Sequence, residues 1–321
     1  MPITDHYGGV LMGNISIFLF GNFRLVYSRA YTLTPPITRN LKGLLSYLLL
    51  HRHRVHSREV LASIFWGEAG QEKARHCLNT ALWRLRQVLE PADTPKGTFL
   101  LSSSSGEIGF NVRSDYWLDV AVFEAKVSQI LAKPVEKLAY PDAQELEDTM
   151  KLYTGELLEG FYEDWALQNR ERLHALYLEC LAHLMHYYRY KKIYDKSLAF
   201  GKQILVLEPL REEIHRKLMR IYQESGNRAM ALRQYQVCCQ ILARELDIGP
   251  MEETRELHQR ILKTDNLSPW QITPEFAPYN RGVGPTNLAA TLSSLRLALK
   301  NCDDLREKLQ QTIRSLEVII P

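Results

Sequence analysis

Along the first hundred residues the apolar positions change period twice. Over 15–20 (ISIFLF) and 23–27 (FRLVY) the residues are β-branched and aromatic, and Gly21-Asn22 lies between them, which predicts a pair of strands. After Pro35-Pro36 the period lengthens. Leu41, Leu44, Leu45, Leu48 and Leu49 predict the buried face of a helix beginning near Thr38. Ser57 is a natural N-cap for a second helix over 58–66, and Gly67 to Gly70 separate it from a third over 71–90. In that third helix Leu78, Leu82, Leu85 and Leu89 recur at intervals of four, three and four. Two extended runs flank Ser102 to Gly106 within 98–112 and predict a projecting hairpin. Strands, three helices and a hairpin in this order predict a winged helix-turn-helix, whose third helix enters a major groove.

Beyond residue 115 the texture is helical throughout: 118–132, 143–154, 164–190, 194–207, 211–225, 228–246 and 252–263. Tyr188 and Tyr222, Lys192 and Gly226, Ser197 and Ala231, and Leu198 and Leu232 each lie 34 residues apart, the period of tetratricopeptide helix pairs. Ala199, Ala229 and Ala231 are expected to let helices approach closely. Such pairs stack into a curved array whose concave face binds protein or peptide. Trp165, Tyr177, Tyr187, Tyr188 and Tyr190 are read as packing between repeats, with a ligand groove as the lesser alternative.

The fold class is therefore mainly α. It comprises a loose tail (1–14), an α+β winged helix (15–113), an all-α tetratricopeptide-like domain (115–263), a Pro/Gly-containing linker (264–286) and a long terminal helix (287–320). In the last, Leu288, Leu292, Leu295, Leu299, Leu309, Ile313 and Leu316 alternate by fours and threes, with Cys302 and Ile320 in the same register. That seam fits a coiled coil joining two protomers as a homodimer. Leu297 and Leu305 lie off it and fit a helix folded back on its own chain, so both readings stand.

Composition narrows the function. The 321 residues carry a net charge of +3, but between Ile15 and Ser114 thirteen Lys and Arg face six Asp and Glu, a local +7. A basic third joined to a faintly acidic remainder points to a nucleic-acid-binding segment attached to a protein-binding one. The third helix sharpens this. Lys73, His76, Thr80, Trp83, Arg84 and Gln87 oppose its leucine stripe, with Arg75, Asn79 and Arg86 on the flank, and no acid lies between Lys73 and Leu89. A solvated helix normally mixes signs, so this face fits a polyanion. The apolar run 15–20 is far shorter than the ~20 residues of a membrane span, and no basic segment precedes it as in a secretory signal. Five scattered cysteines form no disulfide framework, which fits the cytoplasm. His51, His53 and His56 lack a matching Cys or acid and are not read as a metal site. Paired acids such as Glu163-Asp164 and Glu212-Glu213 sit at helix starts, where they suit the macrodipole, and no nucleophile accompanies them. The chain is not read as an enzyme, and no cofactor is expected.

Eight blocks in fixed order carry a family resemblance. They are LFGNFRL (19–25), TRNLKGLLSYLLLHR (38–52), SREVLASIFW (57–66), LNTALWRLRQVL (78–89), DVAVFEA (119–125), YTGELLEGFYEDW (153–165), LEPLREEIHRKLMRIYQESGNRAMALRQY (207–235) and ELDIGPMEETREL (245–257). Over about 15–262 the chain resembles bacterial activators of the antibiotic-regulatory-protein (SARP) type, an OmpR-like winged helix followed by a bacterial transcriptional activator domain. The resemblance implies a transcriptional activator that binds double-stranded promoter DNA. It implies base contacts from His76, Cys77, Asn79, Thr80 and Arg84, and phosphate contacts from Arg75 and Arg86. Arg39, Lys42, Arg54 and Arg58 are further candidates for the phosphates. The helical domain would contact RNA polymerase holoenzyme or a second protomer, and the sequence does not choose between them. One departure stands out: the hairpin tip, SSSSGE (102–107), offers hydroxyls and an acid where such wings carry a basic residue. That acid leaves room for a rival reading, a tetratricopeptide adaptor whose winged helix docks protein.

Overall fold

The computed structural model describes residues 15–27, 37–90 and 94–263. The expected tail, linker and terminal heptad seam lie outside the described residues. Strands β1 (Ile15–Phe18) and β2 (Arg24–Tyr27) pair antiparallel, and α1 (Arg39–Leu50), α2 (Arg58–Trp66) and α3 (Gln71–Leu89) follow. The hairpin is β3 (Leu100–Ser102) and β4 (Ile108–Phe110), with Leu100 opposite Phe110. A strand not expected from the sequence, β5 (Tyr116–Leu118), lies parallel to β1 with Ile15 opposite Tyr116, completing a sheet of order β2-β1-β5. Then come α4 (Asp119–Leu131), α5 (Tyr140–Met150), α6 (Asp164–Tyr190), α7 (Tyr194–Leu207), α8 (Glu212–Glu224), α9 (Arg228–Leu246) and α10 (Glu252–Lys263). The fold is thus a winged helix followed by an all-α region.

Local side-chain contacts set where α2 and α5 begin. Ser57 Oγ accepts from Val60 N at 3.2 Å, the N-cap that its position predicts. Helix α5 starts three residues earlier than expected: Asp142 accepts from Ala139 N at 2.9 Å, and Pro141 fits a first turn where its missing N–H is not needed. The apolar stripes of α1 and α3 are buried as their period requires, with Leu44, Leu48, Leu78 and Leu85 fully enclosed.

The winged helix and the helical region share one core, which runs from Ile15 through Phe123 and Leu157 to Ile261. Strand β5 passes into α4 without an intervening residue, and at that point the Asp119 carboxylate is buried. It accepts from Leu19 N at 2.8 Å, Phe20 N at 2.9 Å and its own helix at Val120 N, 2.7 Å. On the other side of the same segment, Leu158 N donates to Leu19 O at 2.9 Å and Gly21 N to Glu156 O at 2.8 Å. Arg170 of α6 holds that outer loop by donating to the carbonyls of Leu157, Leu158 and Phe161. Phe20 itself packs edge-on against Phe123, with centroids 5.3 Å apart, and against Tyr153.

Helices α6 to α9 form the two pairs that the 34-residue spacing predicts, but the small residues at their contact are not all those expected. Ala231 is buried, whereas Ala199 and Ala229 are exposed. Close approach occurs at Gly201, where a Cβ would meet Leu218 Cδ2 at 2.5 Å and Met185 Sδ at 3.0 Å. Positions 199 and 201 are 200° apart around a helix, so they serve opposite faces.

Two predictions concern stability. Gly201→Ala should cost about 1–3 kcal/mol through overpacking, read from urea denaturation; an unchanged midpoint would mean that the contact relaxes freely. Burial pushes the Asp119 carboxyl up to about 6, against the opposing pull of its backbone donors. A raised native pKa stabilises the fold below the unfolded value near 4, and this stabilisation is lost as pH rises through about 6. The stability difference between wild type and Asp119→Asn should therefore shift against wild type from about pH 4 to pH 7. A flat difference would contradict the burial argument.

Candidate nucleic-acid interface

Helix α3 has the two faces that its period predicts. Ala74, Leu78, Ala81, Leu82, Leu85, Val88 and Leu89 are buried; Lys73, Arg75, His76, Asn79, Trp83, Arg84 and Gln87 are exposed, while Cys77, Thr80 and Arg86 are half-buried. Gly70 (φ +79°) redirects the chain into the helix after a single 3-10 turn at Gly67–Ala69. Trp83 is 61% exposed, a large apolar surface in the middle of a cationic face. Lys73, His76 and Arg84 make no ion pair or side-chain hydrogen bond among the described residues.

The hairpin is held at four points, three of them at α3 or its end. Glu90, just past the end of α3, turns its buried carboxylate onto Gly97 N (3.0 Å), Phe99 N (2.8 Å) and Leu100 N (3.0 Å), fixing where β3 begins. His56 and Ile108 exchange a pair of 2.8 Å backbone hydrogen bonds, tying β4 to the loop between α1 and α2. Arg86 donates to Ser102 Oγ at 2.6 Å. Arg58 bridges: its Nε donates to Gly106 O at 2.9 Å, and its guanidinium donates to Asn79 Oδ1 at 2.6 Å. Within the tip, Glu107 accepts from Ser105 Oγ at 2.9 Å and Ser103 Oγ accepts from Glu107 N at 3.0 Å.

The candidate residues thus fall into two groups. His76, Cys77, Asn79, Thr80, Arg84, Arg75, Arg86 and Arg58 come together on α3 and the adjoining hairpin, with Arg75 also 3.4 Å from Glu59 of α2. Arg39 and Lys42 are held elsewhere, and Arg54 lies apart from α3. Arg39 donates to Gly160 O at 2.7 Å and pairs with Glu163 at 3.1 Å, its guanidinium 4.6 Å from the Phe161 ring centroid. The Lys42 ammonium sits 5.9 Å from the Phe23 ring, and Arg54 lines a cleft beside α6. Arg52, another base near the α1 end, pairs with Glu124 at 3.3 Å. Glu90 and Arg58 were the positions whose structural roles the sequence least revealed. Their partners lie in a loop and at a hairpin tip, with no periodic signature.

Among the described residues no helix is long and apolar enough to cross a membrane, and no three His, Cys, Asp or Glu are grouped to hold a metal ion.

Residues 118–262 match the family model described as bacterial transcriptional activator domain. The helical region is a bacterial transcriptional activator domain. The chain is 30% identical over 257 residues to regulatory protein AfsR of Streptomyces coelicolor, covering 78% of this chain and 25% of that protein. It is 24% identical over 276 residues to transcriptional regulatory protein MoaR1 of Mycobacterium tuberculosis, covering 81% and 84%. Among solved structures, Mycobacterium tuberculosis EmbR in complex with a low-affinity phosphopeptide shares the fold, with a TM-score of 0.62 at 19% identity, over 78% of this chain and 66% of that one. The chain spans about a quarter of the length of the AfsR proteins. A winged helix followed by this domain is the order that the sequence resemblance implies, and the relatives named here are transcriptional or regulatory proteins.

If Arg58 holds the hairpin tip, Arg58→Ala should speed amide exchange over 103–107 while changing global stability by less than about 1 kcal/mol. Unchanged exchange there would show that the bridge carries no weight.

Proposed function

We propose that this protein is a sequence-specific, DNA-binding transcriptional activator. It would act without chemistry of its own on double-stranded promoter DNA in the cytoplasm, at the nucleoid. The observation that carries the reading is the exposed face of α3, on which Lys73, His76 and Arg84 have no side-chain partner among the described residues and no acid intervenes. In this reading α3 lies in the major groove. His76, Cys77, Asn79, Thr80 and Arg84 face base edges, and Arg58, Arg75 and Arg86 face phosphates. Arg58 already donates to the Asn79 carbonyl, so in this reading Asn79 offers its free amide N–H groups to acceptors such as guanine O6 or thymine O4. The tip around Glu107 repels phosphate, which leaves the reading of sequence mainly to α3.

The activator domain would recruit RNA polymerase holoenzyme or a second protomer. Activation would then come from raising the local concentration of polymerase at the promoter. The acidic hairpin tip is the observation that favours the rival, an adaptor whose winged helix docks protein.

Salt and substitution separate the two. DNA fragments selected from a random duplex library should bind with an affinity that falls steeply as salt rises. The log–log slope should drop by about 0.9 for each phosphate contact removed by Arg75→Ala or Arg86→Ala. Arg84→Ala should cost about 1–3 kcal/mol on the selected sequence and relax its specificity. Binding to every genomic fragment that is unchanged in the Arg84→Ala, Arg86→Ala double variant would sink the assignment.

A further inference from the structure

Between the winged helix and the start of α6 lies an open cleft of about 610 Å³, lined by Tyr47, His51, Arg54, Ile64, Trp165 and Gln168, with Glu163, Asp164 and Asn169 on the α6 side. Its size is that of sites enclosing small molecules, and junctions between domains are where such sites concentrate. We propose that this cleft binds an amino-acid-like zwitterion bearing an apolar or aromatic side chain.

Three features of the lining select that chemistry. The first is charge. Arg54 and Asp164 are both exposed, and neither has an ion pair or side-chain hydrogen bond among the described residues. Glu163, the other acid, is engaged by Arg39 at 3.1 Å. His51 adds no charge: burial lowers its pKa, and its Nδ1 is 3.0 Å from Tyr47 O, so the neutral ring donates there. The lining therefore offers one unengaged cation and one unengaged anion, complementary to a carboxylate and an ammonium.

The second feature is the aromatic wall. Tyr47 and Trp165 meet edge to face with centroids 5.5 Å apart, Phe65 backs Trp165 at 5.9 Å, and Ile64 is 38% exposed beside them. These rings suit an apolar group and give a small polar metabolite nothing to bind. The third is the Trp165 indole N–H, which is buried with no acceptor among the described residues. Buried donors are normally paired, so this wall stands to gain when an oxygen-bearing ligand fills the cleft and the indole shifts to meet it. The same ring cluster continues from Tyr47 to His51 at 4.4 Å and His56 at 5.1 Å, and so to the β4 bridge at the hairpin.

Calorimetric titration of the full chain with the twenty amino acids tests this, without DNA, so its failure is distinct from failure of the DNA-binding reading. Saturable binding of at least one apolar or aromatic amino acid below about 10 mM is expected. Phenylacetate and phenethylamine, each lacking one charge, should bind about tenfold more weakly than phenylalanine if that is the ligand class. Arg54→Gln and Asp164→Asn, both at exposed positions, should each weaken binding about tenfold, with melting temperatures as in wild type and with recovery in Arg54→Lys. Absence of saturable binding across the panel overturns the proposal. So does binding that both variants leave unchanged, or phenylacetate binding as tightly as phenylalanine.

Discussion

One buried carboxylate governs the architecture. Asp119 closes the N-terminal turn of α4 and at the same time satisfies two backbone donors at the end of β1, a hundred residues earlier. Neither donor lies in the sheet ladder, so without the carboxylate both would be buried and unpaired, at about 1–3 kcal/mol each. Desolvating a carboxylate is itself costly, and its raised pKa records that cost. The arrangement persists because three N–H groups converge on it, and the result is a joint where the sheet of one region and the first helix of the next are one piece.

The same economy of long-range polar contacts positions the hairpin. Glu90 does for β3 what Asp119 does for β1, collecting three backbone donors on one buried carboxylate. Both acids sit immediately beyond or at a helix end, and both hold the backbone at one end of a strand. The hairpin has three residues per strand, too short to hold a register alone. Its orientation is thus borrowed from α3 and from the His56 bridge, and the surface offered to a nucleic acid is set by contacts behind it.

Helices were legible in the sequence because their apolar positions recur locally: α1, α2, α3 and α6 to α10 follow directly from leucine spacing and from caps such as Ser57. Strand β5 was not, since Tyr116 to Leu118 has no alternation and its parallel partner lies a hundred residues away. The exposure of His76, Asn79 and Arg84 follows from the period of α3, but the ties of Arg39 to Glu163, Arg58 to Asn79 and Arg86 to Ser102 span 16 to 124 positions. Pattern can say which side chains reach the surface. It cannot say which of them another element has already engaged. The repeat spacing likewise gave the pairing of α6 to α9 without the face on which Gly201 lies.

The direct passage of β5 into α4 has a geometric consequence. Where domains are joined by a tether, an added residue merely lengthens the reach. Here one residue added between Leu118 and Asp119 would turn everything after it by about 100°, a single residue's share of a helical turn. The join therefore sets an angle, as a fixed gear tooth does, and the direction in which the activator domain points is written into the phase of one helix.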